Sequence, residues 1–287
     1  MIEQPPFDPT IHIKSSTIVS NDRSHLIDEL RDHIRDNDLY DPLYCTDEQL
    51  RLFLIARNYD VNAACKMLIE AKTWRNFRQP HSVESRDDWP SAMSKETETG
   101  KVYIPGHDKW GRPLLVFNNQ VQNTSCPDAH MTLLSWNMEF AIRQMPSHVD
   151  KYCVFMHMDG FSIFNSPGIA EIKETLHIVC TCYPERLGHI IAYQPPSYFS
   201  FLLGTLNMFI DPKTMSKLVF ISGDISEGSE NDQTLRDIIG DTWRDLTGVS
   251  RGVLEPNCSP GYSHSEYWPT VLTRVERLRS ATVTDDT

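Results

Sequence analysis

The sequence predicts an α/β fold in which a mainly parallel sheet is flanked by helices and preceded by a small helical bundle. Short apolar runs, each the length of a buried strand, lie at 153–158, 189–193 and 218–221. Segments with apolar residues at helical spacing separate these runs. Because strands joined through helices need crossover connections, we expect these three strands to be parallel.

The first third of the chain predicts an arm and then three helices. Residues 1–21 hold three prolines without periodicity and read as an extended arm. Ser24 is placed to cap a first helix, Thr46 and Gln49 form the capping-box pattern of a second, and Asp60 is placed to cap a third. Each helix has one apolar face, so residues 22–95 predict a small bundle.

A polar stretch at 80–100 predicts a domain boundary, with the main domain over 96–255 and an extension over 256–287. Strands at 101–104 and 114–117 flank a turn and predict a hairpin. Further helices are predicted near 131–145, from Ser166-Pro167 onward, and near 271–279. The last of these carries Arg274, Arg277 and Arg279, which suit either a solvated face or an anionic surface.

The remaining elements are organised by the stretch 181–221. Pro184 and Gly188 end a helix, and Gln194-Pro195-Pro196 stops the strand that follows. The helix predicted at 199–210 has an apolar stripe that includes Phe199, Leu202, Leu203, Leu206 and Phe209, and it is apolar nearly all round. Such a helix is either buried or covers an apolar cavity. Twelve residues span only about 18 Å, too short to cross a bilayer.

Four motifs occur in a characteristic order. They are Asp108-x-x-Gly-Arg-Pro, Tyr-Pro-Glu-Arg-Leu-Gly at 183–188, Pro-x-x-Phe at 196–199, and Asp-Pro-Lys-Thr at 211–214 with Lys217 behind it. This order resembles the CRAL-TRIO lipid-carrier family, especially its phosphatidylinositol-transfer branch. The resemblance implies that the apolar helix is a gate over a phospholipid pocket.

The resemblance also implies a set of lipid headgroup ligands: Arg57, Asp108, Glu185, Thr214 and Lys217. Taken alone, Arg57 suits a solvated helix end, Asp108 a turn, and Glu185 an ion pair with Arg186. In the branch that exchanges two lipids, hydroxyl side chains on the pocket floor serve phosphatidylcholine. The matching floor positions here are apolar, at Val154, Met156 and Leu115, which predicts poor handling of that lipid.

Composition narrows the function classes. A net charge of −12 over 287 residues argues against nucleic acid as a partner. Seven cysteines without zinc-ligand spacing predict buried free thiols and no metal site. The resemblance implies a bound phospholipid, phosphatidylinositol, and no cofactor. It also implies transient contact with membranes and a partner in a lipid-kinase pathway. Without a signal peptide or lipidation motif, the expected location is cytoplasmic with peripheral membrane association.

Two alternatives remain open from the sequence. One is a carrier of another hydrophobic ligand, such as an isoprenoid, a sterol or a different phospholipid. The other is an α/β hydrolase or an oxidoreductase, although no Gly-x-Ser-x-Gly elbow and no Gly-x-Gly-x-x-Gly loop occurs. His157, inside an apolar strand, is expected to be a hydrogen-bonded buried histidine and not a catalytic base. We therefore expect no enzymatic activity.

Overall fold

A five-stranded sheet lies at the centre of the computed structural model, which describes residues 23–35, 37–161, 168–206 and 212–284. The strand order follows the chain, and only β1 and β2 are antiparallel to each other. The predicted mainly parallel sheet is confirmed. The strands are β1 (Val102–His107), β2 (Pro113–Phe117), β3 (Tyr152–His157), β4 (Leu187–Tyr193) and β5 (Leu218–Ile221).

The order of the strands decides where the helices lie. Each parallel strand is added on the same side of the last, so right-handed crossovers place the connecting helices on one face of the sheet. That face, here called the floor, carries Leu115, Val154 and Ile190, which pack against the connecting and N-terminal helices. The opposite face carries Phe155 and Ile191 and is covered by the C-terminal third of the chain.

Three helices form the predicted N-terminal bundle: α1 (Ser24–Arg35), α2 (Asp47–Ala56) and α3 (Val61–Arg78). Thr46 and Asp60 cap α2 and α3 as expected, because each side chain accepts a hydrogen bond from a backbone N–H of the first turn. The capping box at Thr46 is half formed. The Gln49 amide donates to the Tyr44 hydroxyl at 3.4 Å instead of returning to the cap.

The polar stretch at 80–100 is a packed helical region, which its composition does not suggest. It contains a 3₁₀ turn (Pro80–Ser85) and α4 (Trp89–Thr97). Trp89 is buried and meets Trp136 edge to face, with ring centroids 6.3 Å apart. One continuous hydrophobic cluster therefore runs from the N-terminal bundle through this region to the floor of the sheet.

The C-terminal helix is far longer than the predicted 271–279. It spans His264–Thr284 and contains Pro269 near its start. Arg274 donates to the Ile104 carbonyl at 3.3 Å, and Arg279 donates to the Glu84 carbonyl at 2.6 Å. Two of the three arginines therefore bind this protein's own backbone, which fastens the helix across β1 and the 3₁₀ turn.

The connecting elements complete the fold: α5 (Pro127–Arg143), α6 (Ile169–His177), a π-helical turn (Ile178–Cys182), α7 (Phe199–Leu206), α8 (Pro212–Met215), α9 (Glu230–Ile238), α10 (Trp243–Leu246) and, last, the C-terminal helix α11. The predicted helix start at Ser166-Pro167 and the predicted end of the apolar helix at 207–210 lie outside the described residues. All seven cysteines are free thiols, four of them buried. Within the described ranges, no helix has both the length and the apolar character to cross a bilayer.

Candidate functional site

A small cleft of about 50 Å³ lies at the edge of the sheet from which β4 and β5 begin. It brings together four of the five predicted headgroup ligands from segments far apart in the sequence. We call it the cationic cleft; its lining includes Arg57, Cys180, Glu185, Lys213, Thr214 and Lys217.

Local structure explains why these side chains converge. Arg57 is the C-cap residue of α2, so its side chain extends from the end of the N-terminal bundle. Thr214 lies in the short helix α8, and the Lys217 N–H donates to the Thr214 carbonyl at 3.1 Å as the chain turns into β5. Glu185 lies in the turn that leads into β4. Since β4 and β5 are adjacent parallel strands, the segments before them meet at one edge.

Positive charge predominates in the cleft. Arg57, Lys213 and Lys217 are opposed among the lining residues by a single carboxylate, that of Glu185. Lys213 Nζ lies 2.7 Å from Glu185 Oε1, in an ion pair whose lysine side chain is 52% exposed. Lys217 is only 6% exposed. The chain as a whole is acidic, so this local excess of cations selects for an anionic ligand.

Two departures from regular backbone geometry border the cleft. Glu185 has a φ of 59°, in the left-handed region that non-glycine residues rarely adopt. The preceding turn, Ile178–Cys182, is π-helical, and two of its residues line the cleft. Such distortions are frequent at functional sites and persist only where the surrounding structure enforces them.

A buried ionic network fixes the wall that holds Tyr183. The Tyr183 hydroxyl donates to Glu139 Oε1 at 2.6 Å, and Arg75 Nη1 donates to the same oxygen at 2.7 Å. Burial raises the pKa of Tyr183 well above its ordinary value, and the Glu139 carboxylate reinforces this. Burial alone would raise the pKa of Glu139, but Arg75 and the Tyr183 hydroxyl outweigh it and hold that pKa below the usual range. Glu139 is therefore a carboxylate that ties α3 and α5 to the cleft.

This network predicts an acid-sensitive component of stability. Because folding lowers the pKa of Glu139, its contribution is fully present above the unfolded pKa of about 4.3 and is lost as the pH falls through the folded value. For one proton, the slope is up to about 1.4 kcal/mol per pH unit. We expect Glu139→Gln to be less stable at neutral pH and to lose less stability between about pH 5 and 3. Urea unfolding at several pH values measures this slope, and exposed Glu29→Gln is the control. A slope in Glu139→Gln as steep as in the unchanged protein would contradict the assignment.

Asp108, the fifth predicted ligand, does not line the cleft. Its side chain is completely buried, and its oxygens accept from the backbone N–H groups of Trp110 and Arg112, both at 2.9 Å, and from Arg112 Nε at 2.6 Å. Arg112 also donates to His189 Nδ1 and to the Ile238 carbonyl. This geometry favours a structural role for Asp108 over the headgroup role that the resemblance implies, because its carboxylate already pairs with the buried Arg112.

The same arginine explains the glycine of the 183–188 motif. A Cβ atom at Gly188 would lie 2.7 Å from Nη1 of Arg112, closer than van der Waals contact allows. Gly188 thus lets the guanidinium pass beneath β4. The two motifs, one in the hairpin and one before β4, meet in space through this contact.

The predicted floor residues share one face of the sheet. Leu115 pairs with Val154 across β2 and β3, and Met156 follows two residues later on the same face. Leu115 is 1% exposed, whereas Val154 and Met156 are half-buried. The face is apolar at all three positions, as the sequence analysis expected.

The apolar helix α7 packs on this floor. Phe199 and Leu203 lie against a small group of side chains, here called the gate cluster, with Met158, Ala192 and Leu218 at its centre. The Phe199 ring meets Phe220 with centroids 6.3 Å apart. The predicted contacts of Leu202 and Leu206 concern side chains that the structure does not describe, and Phe209 lies outside the described residues.

One side of α7 faces away from the protein. Phe201 is 75% exposed, and Tyr198, just before the helix, is 39% exposed. The Tyr198 hydroxyl donates to the Phe161 carbonyl at 2.7 Å. Of the two possibilities that the sequence leaves for this helix, complete burial is therefore wrong.

Comparison with known proteins identifies this architecture. The profile of the CRAL/TRIO domain matches residues 97–237. Residues 97–237 are a CRAL/TRIO domain.

A CRAL-TRIO domain-containing protein of Schizosaccharomyces pombe is 31% identical over 178 residues, which are 62% of this chain but 17% of that relative. The phosphatidylinositol transfer protein PDR17 of Saccharomyces cerevisiae is 27% identical over 259 residues, covering 86% of this chain and 68% of that protein. The crystal structure of Sfh5 has the same fold, with a TM-score of 0.52 and 15% identity over 82% of this chain and 85% of that one.

Three side chains beside the cationic cleft are arranged in the order of a catalytic triad but lack its chemistry. Cys182 Sγ lies 3.8 Å from His177 Nε2, and His177 Nδ1 lies 3.4 Å from Glu70 Oε1. Burial raises the pKa of the Cys182 thiol to about 12, so it remains protonated and is a poor nucleophile. His157 is also unsuited to act as a base, since its Nε2 already donates a hydrogen bond to the Thr247 carbonyl at 2.8 Å. Across the described ranges, no group of His, Cys, Asp or Glu side chains is arranged to hold a metal ion.

Lys213 and Cys180 are among the cleft residues that the sequence analysis did not name as ligands. Lys213 stands inside the quoted Asp-Pro-Lys-Thr motif, so its charge was visible, but its pairing with Glu185 joins residues 28 positions apart. Cys180 lies in the π-helical turn, and such a turn has no simple sequence signal.

Proposed function

We propose that this protein binds phosphatidylinositol and exchanges phospholipid at membranes, with no catalysis of its own. The observation that supports this best is the position of the cationic cleft beside the gate cluster. Thr214 and Lys217 line the cleft, while Met215 and Leu218 pack in the gate cluster. A polar anion site thus adjoins an apolar cluster, which matches the two halves of an anionic phospholipid.

The cleft offers chemistry for each part of the headgroup. Lys217 and Arg57 supply cations for the phosphate, and Thr214 adds a hydroxyl donor. Glu185 accepts hydrogen bonds from inositol hydroxyls. Its partner Lys213 is half exposed, and exposed ion pairs contribute at most about 1 kcal/mol. Exchange of this lysine for ligand hydroxyls therefore costs little.

The size of the cleft requires movement. Pockets for small-molecule ligands measure roughly 300 Å³ or more, whereas this cleft holds about 50 Å³. A bound diacyl lipid also buries on the order of 30 methylenes at about 0.8 kcal/mol each, so release into water would cost over roughly 20 kcal/mol. Loading and release must therefore take place against a membrane, with the gate open.

We place this exchange at the cytoplasmic surface of membranes, through transient contact, where the lipid could be passed to a lipid-kinase pathway. PDR17, whose name describes phosphatidylinositol transfer, aligns with most of this chain. The Schizosaccharomyces pombe relative is much longer than the part that this chain matches. The alignment with PDR17 supports the proposed lipid class.

Lipid identity tests the proposal directly. Native mass spectrometry of the purified protein should show bound phosphatidylinositol. In competitive loading from mixed vesicles, phosphatidylinositol should be taken up at least about tenfold more than phosphatidylcholine, because a buried phosphocholine would meet the apolar side chains of Leu115, Val154 and Met156. A neutral isoprenoid or sterol as the bound molecule, or equal uptake of both phospholipids, would refute this specificity.

Gate movement gives a further prediction. The gate cluster has few fully buried side chains among the described residues, so we expect α7 to open at low free-energy cost. Adding phosphatidylinositol vesicles should change amide hydrogen exchange within 199–206 by about tenfold or more. The amides of β3, in the middle of the sheet, serve as the internal control and should not change. Equal, full protection of 199–206 with and without vesicles, alongside active transfer, would mean that α7 is ordinary core.

A further inference from the structure

The floor of the sheet carries one polar group that the function proposed above does not use. Tyr152, the first residue of β3, packs with Leu187 in the cluster on the floor side. It is 1% exposed, and its hydroxyl oxygen has no hydrogen-bond partner among the described residues. A buried hydroxyl left unpaired costs about 1–3 kcal/mol, so its retention calls for a physical reason.

The hydroxyl lies next to the cationic cleft. Tyr152 pairs with Leu187 across β3 and β4, and its N–H donates to the Arg186 carbonyl at 2.8 Å. Burial raises the pKa of the Tyr152 phenol; the nearby Arg186 guanidinium opposes this shift, and the nearby Cys180 adds to it. Cys180 and Leu187 are both lining residues of the cleft. Tyr152 therefore lies directly behind the wall of the cleft that Cys180 and Leu187 form.

Polarity changes in steps along this face. Glu185, Lys213 and Lys217 of the cleft lie in the segments before β4 and β5. Tyr152 comes first within β3, and the apolar Val154 and Met156 follow on the same face. Successive side chains on one face are about 6.6 Å apart, twice the rise per strand residue. A diacyl phospholipid has the same sequence of groups, with a charged phosphate, then neutral ester carbonyls, then apolar chains.

We infer that the Tyr152 hydroxyl donates a hydrogen bond to an ester carbonyl of the bound glycerolipid when the cleft wall opens to admit it. This inference rests on the proposed phospholipid function and assigns a position within it. It gives the floor one hydrogen-bond donor. The donor sits at the headgroup end of the floor, and its neutral hydroxyl suits a carbonyl acceptor better than a fully charged phosphate that already has cations nearby.

The experiment compares Tyr152→Phe with the unchanged protein on two synthetic lipids. One is diester phosphatidylinositol, and the other is diether phosphatidylinositol, which has the same headgroup and chains but no carbonyl groups. We expect Tyr152→Phe to weaken loading of the diester lipid about 3- to 10-fold, the range for one neutral hydrogen bond. Loading of the diether lipid should be the same for both proteins.

Thermal unfolding of the lipid-free proteins provides the structural readout. Removing an unpaired buried hydroxyl should leave the melting temperature unchanged or slightly raised. Equal weakening for both lipids, no weakening for either, or a lowered melting temperature with proportionate loss would overturn the inference. If the unchanged protein loads neither lipid, the proposed function itself fails; if it loads both and the variant does not discriminate, only the role of Tyr152 fails.

Discussion

Lys217→Ala should reduce phosphatidylinositol transfer by at least about tenfold while the protein remains folded. Lys217 lines the cationic cleft and is almost completely buried, so its ammonium group would meet a bound phosphate away from bulk water. A hydrogen bond to a charged group contributes about 1.5–3 kcal/mol, which corresponds to a roughly 10- to 150-fold loss in affinity. Transfer of labelled phosphatidylinositol between vesicles measures the effect.

Two further variants separate charge from packing. Lys217→Met keeps most of the aliphatic stem and removes the charge, so it should lose transfer as Lys217→Ala does but unfold at a similar urea concentration to the unchanged protein. Lys66→Ala removes an exposed lysine of α3 away from the cleft and should transfer normally. Normal transfer by Lys217→Met would show that the ammonium group does not bind the lipid.

The strands and the cap residues could be predicted because their signals are local. Each buried strand is a short apolar run bounded by turn residues, and β5 was placed at 218–221 without error. Thr46 and Asp60 cap their helices through atoms within three residues. Such features depend on neighbouring residues alone, so a single sequence suffices.

α4 was missed, and α11 was predicted too short, because long-range packing overrides the local signal. α4 lies in a stretch rich in polar residues, and its formation depends on burying Trp89 against α5 and α11. α11 includes Pro269 in its second turn, where proline removes one backbone hydrogen bond and ordinarily argues against a helix, but the burial of Val271 and Val275 favours the helix nonetheless. Neither partner surface can be seen from the local sequence.

The candidate site shows the same contrast between what motifs predict and what long-range contacts decide. Arg57, Glu185, Thr214 and Lys217 were placed together by resemblance, and the structure brings them to one cleft. The resemblance could not show that Asp108 belongs to a different network. Its partner Arg112 also binds His189 of β4 and the carbonyl of Ile238 at the end of α9. Motif matching records which residues accompany a fold and does not separate ligand contacts from internal ones.

Asp108→Asn provides the second large effect, on stability and not on lipid binding. The substitution keeps the shape of the side chain but leaves the Arg112 guanidinium, 1% exposed, without its counter-charge. Removing one partner of a buried ion pair costs about 3–5 kcal/mol, so the urea midpoint should fall markedly, whereas exposed Asp87→Asn should not change it. Under conditions where the variant stays folded, transfer of phosphatidylinositol per folded molecule should be normal.

The two roles of Asp108 predict opposite outcomes, which makes the test decisive. A headgroup ligand would lose transfer and keep its stability, as expected for Lys217. A structural partner of Arg112 would lose stability and keep its transfer. The double variant Asp108→Ala with Arg112→Ala adds a second criterion, because residues in direct contact are not additive: its loss of stability should be clearly smaller than the sum of the two single losses. Additive losses, or a transfer defect in a fully stable Asp108→Asn protein, would return Asp108 to the lipid site.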